Sequence, residues 1–63
     1  MDRDKYNQLA IKHNIKCPVC EKHMTVDDVD HKFTGNEDIY YICEEHYTSK
    51  ILRIRYGKLW KIE

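Results

Sequence analysis

The sequence contains no long apolar run, no internal repeat, one proline and two glycines. No apolar stretch approaches the roughly 20 residues that cross a bilayer, which argues against a membrane-spanning segment. The charged start, Asp2-Arg3-Asp4, argues against a secretory signal peptide, and we expect a cytoplasmic location. No low-complexity segment divides the chain, so residues 1–63 are expected to form one domain.

Cysteine is also scarce, because the chain has only three. An odd number of cysteines argues against a disulfide framework. A thioredoxin-like redox pair would need a βαβ context, which the sequence does not predict. A chain of 63 residues nevertheless buries too little apolar surface to be stable without a cross-link or a metal ion. We therefore expect the fold to be stabilised by something other than disulfide bonds.

Two short motifs offer the ligands of a metal ion: CPVC at residues 17–20 and CEEH at residues 43–46. In each motif two residues separate the ligands, so one tight turn presents both side chains to the same ion. Three thiolates and one imidazole are a common closed structural site for Zn²⁺, and the free energy of binding that ion contributes to folding. We therefore predict one structural Zn²⁺ ion as cofactor. Its predicted ligands are Cys17, Cys20, Cys43 and His46.

The fourth ligand is less constrained than the three thiolates. His46 is favoured because it repeats the ligand spacing of the first motif. His23 and His31 stay open as alternatives. A solvated position just after the first motif suits His23, and a strand position on the same face as Val29 and Phe33 suits His31.

The spacing of apolar residues predicts an α+β fold. A helix over residues 3–14 is indicated by Tyr6, Leu9, Ala10 and His13, which recur at i, i+3, i+4 and i+7. Residues 24–33 and 39–42 are predicted to be extended and to form a hairpin around a turn at residues 34–38, with a bulge near residues 27–28. The two metal-binding motifs then lie at the ends of this hairpin, in a unit spanning residues 15–47.

The C-terminal segment predicts a second hairpin over residues 50–62. Leu52 and Ile54 alternate with arginines, and an apolar face resumes at Trp60 after a turn at Gly57. This apolar side is expected to supply core, with Trp60 as its largest buried side chain.

The net charge is zero, but the charges are unevenly distributed. Residues 21–45 carry eight acidic side chains against two lysines, and residues 46–63 carry five basic side chains against one acid. Tyrosines and a tryptophan near the basic residues suit single-stranded nucleic acid, although the balanced charge predicts modest, salt-dependent binding. A protein partner fits the same segment equally well. The candidate contacts are Lys50, Arg53, Arg55, Lys58 and Lys61.

Residues 15–47 resemble a zinc ribbon in their CPxC motif, their turn at Gly35 and their second ligand pair after the strand 39–42. Zinc ribbons occur in transcription factors, polymerase subunits, topoisomerases, ribosomal proteins and protein-binding modules. The resemblance implies a non-enzymatic binding or regulatory module acting on nucleic acid or on nucleic-acid-processing machinery, without a small-molecule substrate. The alternative is a regulator or inhibitor that binds protein alone. The small size also suits a viral accessory protein, and exposed strand edges leave a homodimer open.

A second, partial resemblance is to the HNH (ββα-metal) nucleases, which often combine a zinc site with a Val-Asp-His strand end. Here Val29-Asp30-His31 lies between the two motifs and is followed by Asn36. The resemblance implies that Asp30 would bind a catalytic metal, His31 would activate water and Asn36 would orient that histidine. The family also has a further metal ligand on a helix after the last zinc ligand, and no such residue follows His46 here. A nuclease, active or degenerate, is therefore the minority interpretation.

Overall fold

Four strands and one short helix make up the computed structural model, which describes residues 2–63. The strands form one antiparallel sheet in the chain order β1-β2-β3-β4. Within the described residues, the helix is too short and too polar to span a membrane. The elements are α1 (Arg3–Lys12), β1 (Thr25–Phe33), β2 (Asn36–Cys43), β3 (Thr48–Arg55) and β4 (Lys58–Ile62).

The prediction of an α+β fold with a separate C-terminal hairpin is wrong. β2 and β3 pair without interruption from Glu37–Ile54 to Cys43–Thr48, so the two predicted hairpins belong to one sheet. The physical reason lies in the connection, because Tyr47 adopts φ +53° and returns the chain directly alongside β2. The protein is therefore a small sheet-rich fold with a single ten-residue helix.

The helix begins where its sequence provides a cap. The carboxylate of Asp2 accepts a hydrogen bond from the Lys5 amide at 3.1 Å, which satisfies one of the free N–H groups of the first turn. The helix ends at Lys12, two residues before the predicted end. Asn14 adopts φ +54°, a left-handed conformation that asparagine tolerates and that ends the helical path.

The core lies between the helix and one face of the sheet. Tyr6 and Ala10, both from the predicted helical stripe, are buried with Val26, Ile39 and Leu52. The predicted irregularity in β1 is also present, because the pairing register with β2 shifts between residues 26 and 28. The buried apolar residues are Tyr6, Ala10, Ile15, Cys17, Met24, Val26, Ile39, Tyr41 and Leu52.

Trp60 does not join this core, contrary to the prediction, and is 56% exposed. The register of β4 with β3 shifts at Trp60, between the pairs Ile54–Leu59 and Arg53–Lys61, so the Trp60 ring lies with Arg55 on the Asp38 side of the sheet instead of on the core side. The Trp60 ring instead lies against two cations, with the guanidinium carbon of Arg55 5.0 Å and the Lys61 ammonium 4.4 Å from its centroid. The C-terminal strands thus present an aromatic side chain to solvent.

A buried tyrosine provides a test of the packing between helix and sheet. The Tyr41 hydroxyl donates a hydrogen bond to the Tyr6 carbonyl at 2.6 Å, and burial raises the pKa of Tyr41 to about 12. Because the folded pKa lies above the unfolded value, the neutral hydroxyl stabilises the fold below about pH 10, and this contribution is lost as the pH rises toward 12. Tyr41→Phe is expected to cost about 1 kcal/mol at neutral pH.

Ultraviolet titration of the folded protein checks this prediction. Burial raises the pKa of Tyr6 as well, but Tyr41 is expected to be the last tyrosine to ionise, and Tyr41→Phe should remove that last step. Tyr56→Phe is the matched control, because Tyr56 is 88% exposed. Complete ionisation of every tyrosine near pH 10 in the folded wild type would contradict the assignment.

Candidate metal centre

The first motif forms a turn that is closed by main-chain hydrogen bonds. The Glu21 amide donates to the Cys17 carbonyl at 2.8 Å, and the Cys17 amide donates to the Lys22 carbonyl at 2.9 Å. Glu21 adopts φ +61°, which reverses the chain. Lys16 and His23 then form a single antiparallel bridge on either side of the turn. The backbone therefore places Cys17 and Cys20 on one closed loop.

The second motif repeats this backbone pattern. The Tyr47 amide donates to the Cys43 carbonyl at 2.7 Å, as Glu21 does to Cys17, and Tyr47 is likewise left-handed with φ +53°. In both turns the ligands occupy the first and fourth positions, and the left-handed residue occupies the fifth. Two turns of the same shape thus face each other, one before β1 and one between β2 and β3.

The four predicted ligands converge, and their ligand atoms all lie within 4.8 Å of one another. The Nδ1 atom of His46 is 3.7 Å from the sulfurs of Cys17 and Cys43, and the sulfurs of Cys20 and Cys43 are 3.9 Å apart. A tetrahedral ion with zinc-type bond lengths requires about 3.8 Å between two sulfurs and about 3.6 Å between sulfur and nitrogen. The spacing therefore fits a single tetrahedral metal ion.

The environment of Cys17 favours a thiolate. The side chain is buried, which opposes charge, but hydrogen bonds to the sulfur outweigh that effect and lower its pKa to about 6. The donors include the Thr48 hydroxyl at 3.2 Å and the Val19 amide at 3.4 Å. The pKa of Cys20 is raised by burial and by its two cysteine neighbours, even though the Lys22 amide acts in the opposite direction. A bound cation would remove this repulsion between neighbouring thiolates.

Thr48 is a positioning residue for this centre, and its hydroxyl supports a prediction. Thr48→Val keeps the side-chain shape but removes the hydrogen bond to Cys17, so metal affinity is expected to fall about tenfold. Competition with a chromophoric chelator measures that affinity. Thr25→Val is the control, because the Thr25 hydroxyl donates only a long 3.5 Å bond to the Ile42 carbonyl and not to a ligand sulfur. Equal affinities for the two variants would contradict the role of Thr48.

The alternative ligands lie outside the cluster. Neither His23 nor His31 is among the grouped ligands, and both side chains are exposed. Among residues 2–63 the cluster is the only group of three or more His, Cys, Asp or Glu ligands close enough to hold a metal. Of the nuclease-type residues, Asp30 lies 3.5 Å from Lys32, and the Asn36 side chain accepts a hydrogen bond from the Tyr56 amide. The nuclease interpretation thus rests on the sequence resemblance alone.

The five candidate basic contacts differ in whether their side chains are already paired with a carboxylate. Arg53 and Arg55 each donate to a carboxylate oxygen of Asp38 at 2.9 Å, and Arg53 also binds Glu63. Lys61 lies 2.6 Å from the Glu63 carboxylate. Within the described residues, Lys50 and Lys58 make no ion pair. The two arginines among the candidate contacts are therefore half-buried and paired.

Two residues of structural importance were missing from the sequence prediction. Asp38 is only 1% exposed, although the sequence places it in a strongly acidic segment that suggests a solvated position. Its cross-strand partner is Arg53, and only the register of β2 with β3 reveals that pair. Thr48 carries no signal in the sequence, because its contact with Cys17 spans 31 residues.

No protein-family model, no curated protein and no solved structure matches this chain. The resemblance to zinc ribbons is thus limited to the ligand pattern and the hairpin between the two turns. The metal-type cluster stands independently of that resemblance, since it follows from the positions of four side chains.

Proposed function

We propose that the protein is a small zinc-stabilised binding module without catalytic activity. The observation that carries this proposal is the set of three sulfurs and one imidazole nitrogen at tetrahedral spacing. Thiolate-rich tetrahedral sites select zinc over harder divalent ions such as Mg²⁺ and Ca²⁺. Four protein ligands fill the coordination sphere and leave no position for substrate or water, which is the arrangement of structural rather than catalytic zinc.

Metal analysis of the purified protein tests the proposal. We expect one zinc ion per chain, and X-ray absorption spectra with three sulfur neighbours and one nitrogen neighbour. A preparation that is folded, monodisperse and free of metal would contradict it. A spectrum dominated by oxygen neighbours would contradict the assignment of the ligands.

The charge arrangement favours a protein as the partner. Phosphate groups bind guanidinium groups that are free to form paired hydrogen bonds. Arg53 and Arg55 already use their guanidiniums on Asp38, which is buried, so a nucleic acid would have to break these bonds. An extended peptide makes no such demand, because it binds through backbone hydrogen bonds and apolar side chains.

Single-stranded nucleic acid is the second candidate, and the Trp60 surface is the observation that favours it. Trp60 is more than half exposed and is flanked by Arg55 and Lys61, a combination on which a base can stack near its phosphate. If this candidate holds, a short oligo(dT) should quench Trp60 fluorescence, and the quenching should weaken steeply as salt is raised. Unchanged fluorescence at low salt would remove the candidate.

A further inference from the structure

The outer edge of the sheet at β4 is open. β4 is the last strand of the sheet, and all five of its residues are exposed. Glu63 and Ile51 exchange two main-chain hydrogen bonds of 2.7 Å, so this residue pair is of the hydrogen-bonded type. In an antiparallel pair of strands, the residue before or after a hydrogen-bonded pair points its N–H and C=O away from the partner strand. The N–H and C=O of Ile62 therefore face the open edge, where a further strand can pair with them.

Apolar side chains border this edge on the face that carries the core. Leu59 is 45% exposed and pairs with Ile54, and Ile62 is 39% exposed and pairs with the fully buried Leu52. The helix, which packs on β1, leaves them uncovered. An incoming strand would extend the core face of the sheet by one row and bury both side chains.

The two edges of the sheet carry opposite charges. The β1 edge has Asp27, Asp28 and Asp30, and its register with β2 is interrupted at two places, as is common on protected edges. The β4 edge has Lys58 and Lys61; Lys61 already pairs with Glu63, whereas Lys58 has no ion-pair partner among residues 2–63 and supplies the unpaired positive charge. An acidic strand is therefore attracted to β4. A second copy is disfavoured, because its own β4 brings the same lysines and its β1 is interrupted.

We propose that the β4 edge binds an extended, acidic segment of a partner protein by strand addition. This inference rests on the proposed binding function and names the class of partner. The segment would alternate apolar residues, which cover Leu59 and Ile62, with aspartate or glutamate side chains near Lys58 and Lys61. Its main chain would pair with the outward backbone groups of Ile62.

The probe for this proposal is an acetylated eight-residue peptide of alternating valine and glutamate. Trp60 is the only tryptophan and lies in β4, so its fluorescence reports directly on the edge. We expect a saturable change in that fluorescence and slower hydrogen exchange at the Ile62 amide. The control peptide has lysine in place of glutamate and should bind at least about tenfold more weakly.

Two variants locate the binding. Ile62→Pro removes the outward N–H and should weaken binding at least about fivefold. Lys58→Glu reverses an unpaired charge at the edge and should weaken peptide binding about threefold. Lys12→Glu makes the same charge change on the helix and should leave peptide binding unchanged. If Ile62→Pro fails to fold, comparing peptide binding by Lys58→Glu and Lys12→Glu still shows whether the peptide binds at β4.

Three outcomes would overturn the inference. The first is binding of the acidic peptide that neither Ile62→Pro nor Lys58→Glu weakens. The second is sedimentation as a dimer that Ile62→Pro dissociates, which would assign the edge to a second copy. The third is salt-sensitive quenching by oligo(dT) without any response to the peptide. Metal content measured on the same samples separates these results from a failure of the zinc assignment, which would appear as absent zinc.

Discussion

Removing the metal with a strong chelator is expected to unfold the protein. Binding of structural Zn²⁺ contributes about 10–16 kcal/mol of apparent free energy in small zinc peptides. The net stability of folded domains is about 5–15 kcal/mol, and short chains lie at the low end of that range. The loss therefore exceeds what the remaining interactions supply.

The position of the ligands explains why so much depends on one ion. Cys17 and Cys20 lie before β1, whereas Cys43 ends β2 and His46 lies between β2 and β3, so a bound ion would join two turns that are distant in sequence. Cys17 is itself part of the buried core, beside Ile15 and Met24. When the ion leaves, the first turn loses its anchor, and neighbouring thiolates are left to repel one another.

Nuclear magnetic resonance and far-ultraviolet circular dichroism measure the expected collapse. Chelation should merge the dispersed amide signals, and added Zn²⁺ should restore them. His46→Asn should lower metal affinity and thermal stability strongly. His23→Asn is the matched control, because His23 flanks the first turn but lies outside the ligand cluster. Retention of dispersed signals after complete chelation would contradict a structural role for the ion.

The metal centre could be predicted from the sequence because its geometry is local. Each motif fixes two ligands within four residues, and the left-handed residues Glu21 and Tyr47 give the two turns the same shape. The repeated spacing also selected His46 over His23 and His31, and the structure brings His46 into the cluster. Only the approach of the two turns to each other required long-range information, which a shared metal ion would supply.

The sheet was harder to predict because strand pairing is not local. Alternation of apolar residues in β3 fits a separate hairpin as well as a third strand beside β2, since both bury the same face. Trp60 looked like core for the same reason, and it is exposed because the register shift in β4 places its ring on the Arg55 side of the sheet, opposite the core. The pairing of Asp38 with Arg53 appears only once β2 and β3 are in register. Charge composition alone left open whether the acidic and basic side chains pair with each other or stay solvated.

Replacing Asp38 is expected to be the most damaging change to a charged side chain of the described residues outside the metal centre. The side chain is 1% exposed, with Oδ1 bonded to Arg55 and Oδ2 to Arg53, each at 2.9 Å. Lys32 lies 4.0 Å from the same carboxylate. Breaking a fully buried pair costs about 3–5 kcal/mol. Because both arginines keep access to water, we expect about 2–3 kcal/mol for Asp38→Asn.

The pKa of Asp38 gives the sign of its pH dependence. Burial alone would raise it, but the charges and hydrogen bonds of Arg55 and Arg53 outweigh burial and hold the pKa of Asp38 below its ordinary value. A carboxylate with a depressed folded pKa stabilises the fold above its unfolded pKa, and that contribution is lost as the pH falls through the folded value. At neutral pH the full contribution is present, so the variant should be compared there.

Urea unfolding of the zinc-loaded proteins at neutral pH measures the loss. Asp30→Asn is the matched control, because it is the same substitution at a carboxylate that also pairs with a cation, Lys32, but is about half exposed. This variant should lose less than about 0.5 kcal/mol of stability. Asp38→Leu combined with Arg55→Met should recover part of the loss, since the double change removes the carboxylate together with one of its two arginines, and the other, Arg53, keeps Glu63 as a partner. If Asp38→Asn and Asp30→Asn lower stability equally, the carboxylate does not organise this face. In that case both arginines would be free to bind phosphate groups, and a nucleic-acid partner would no longer be disfavoured.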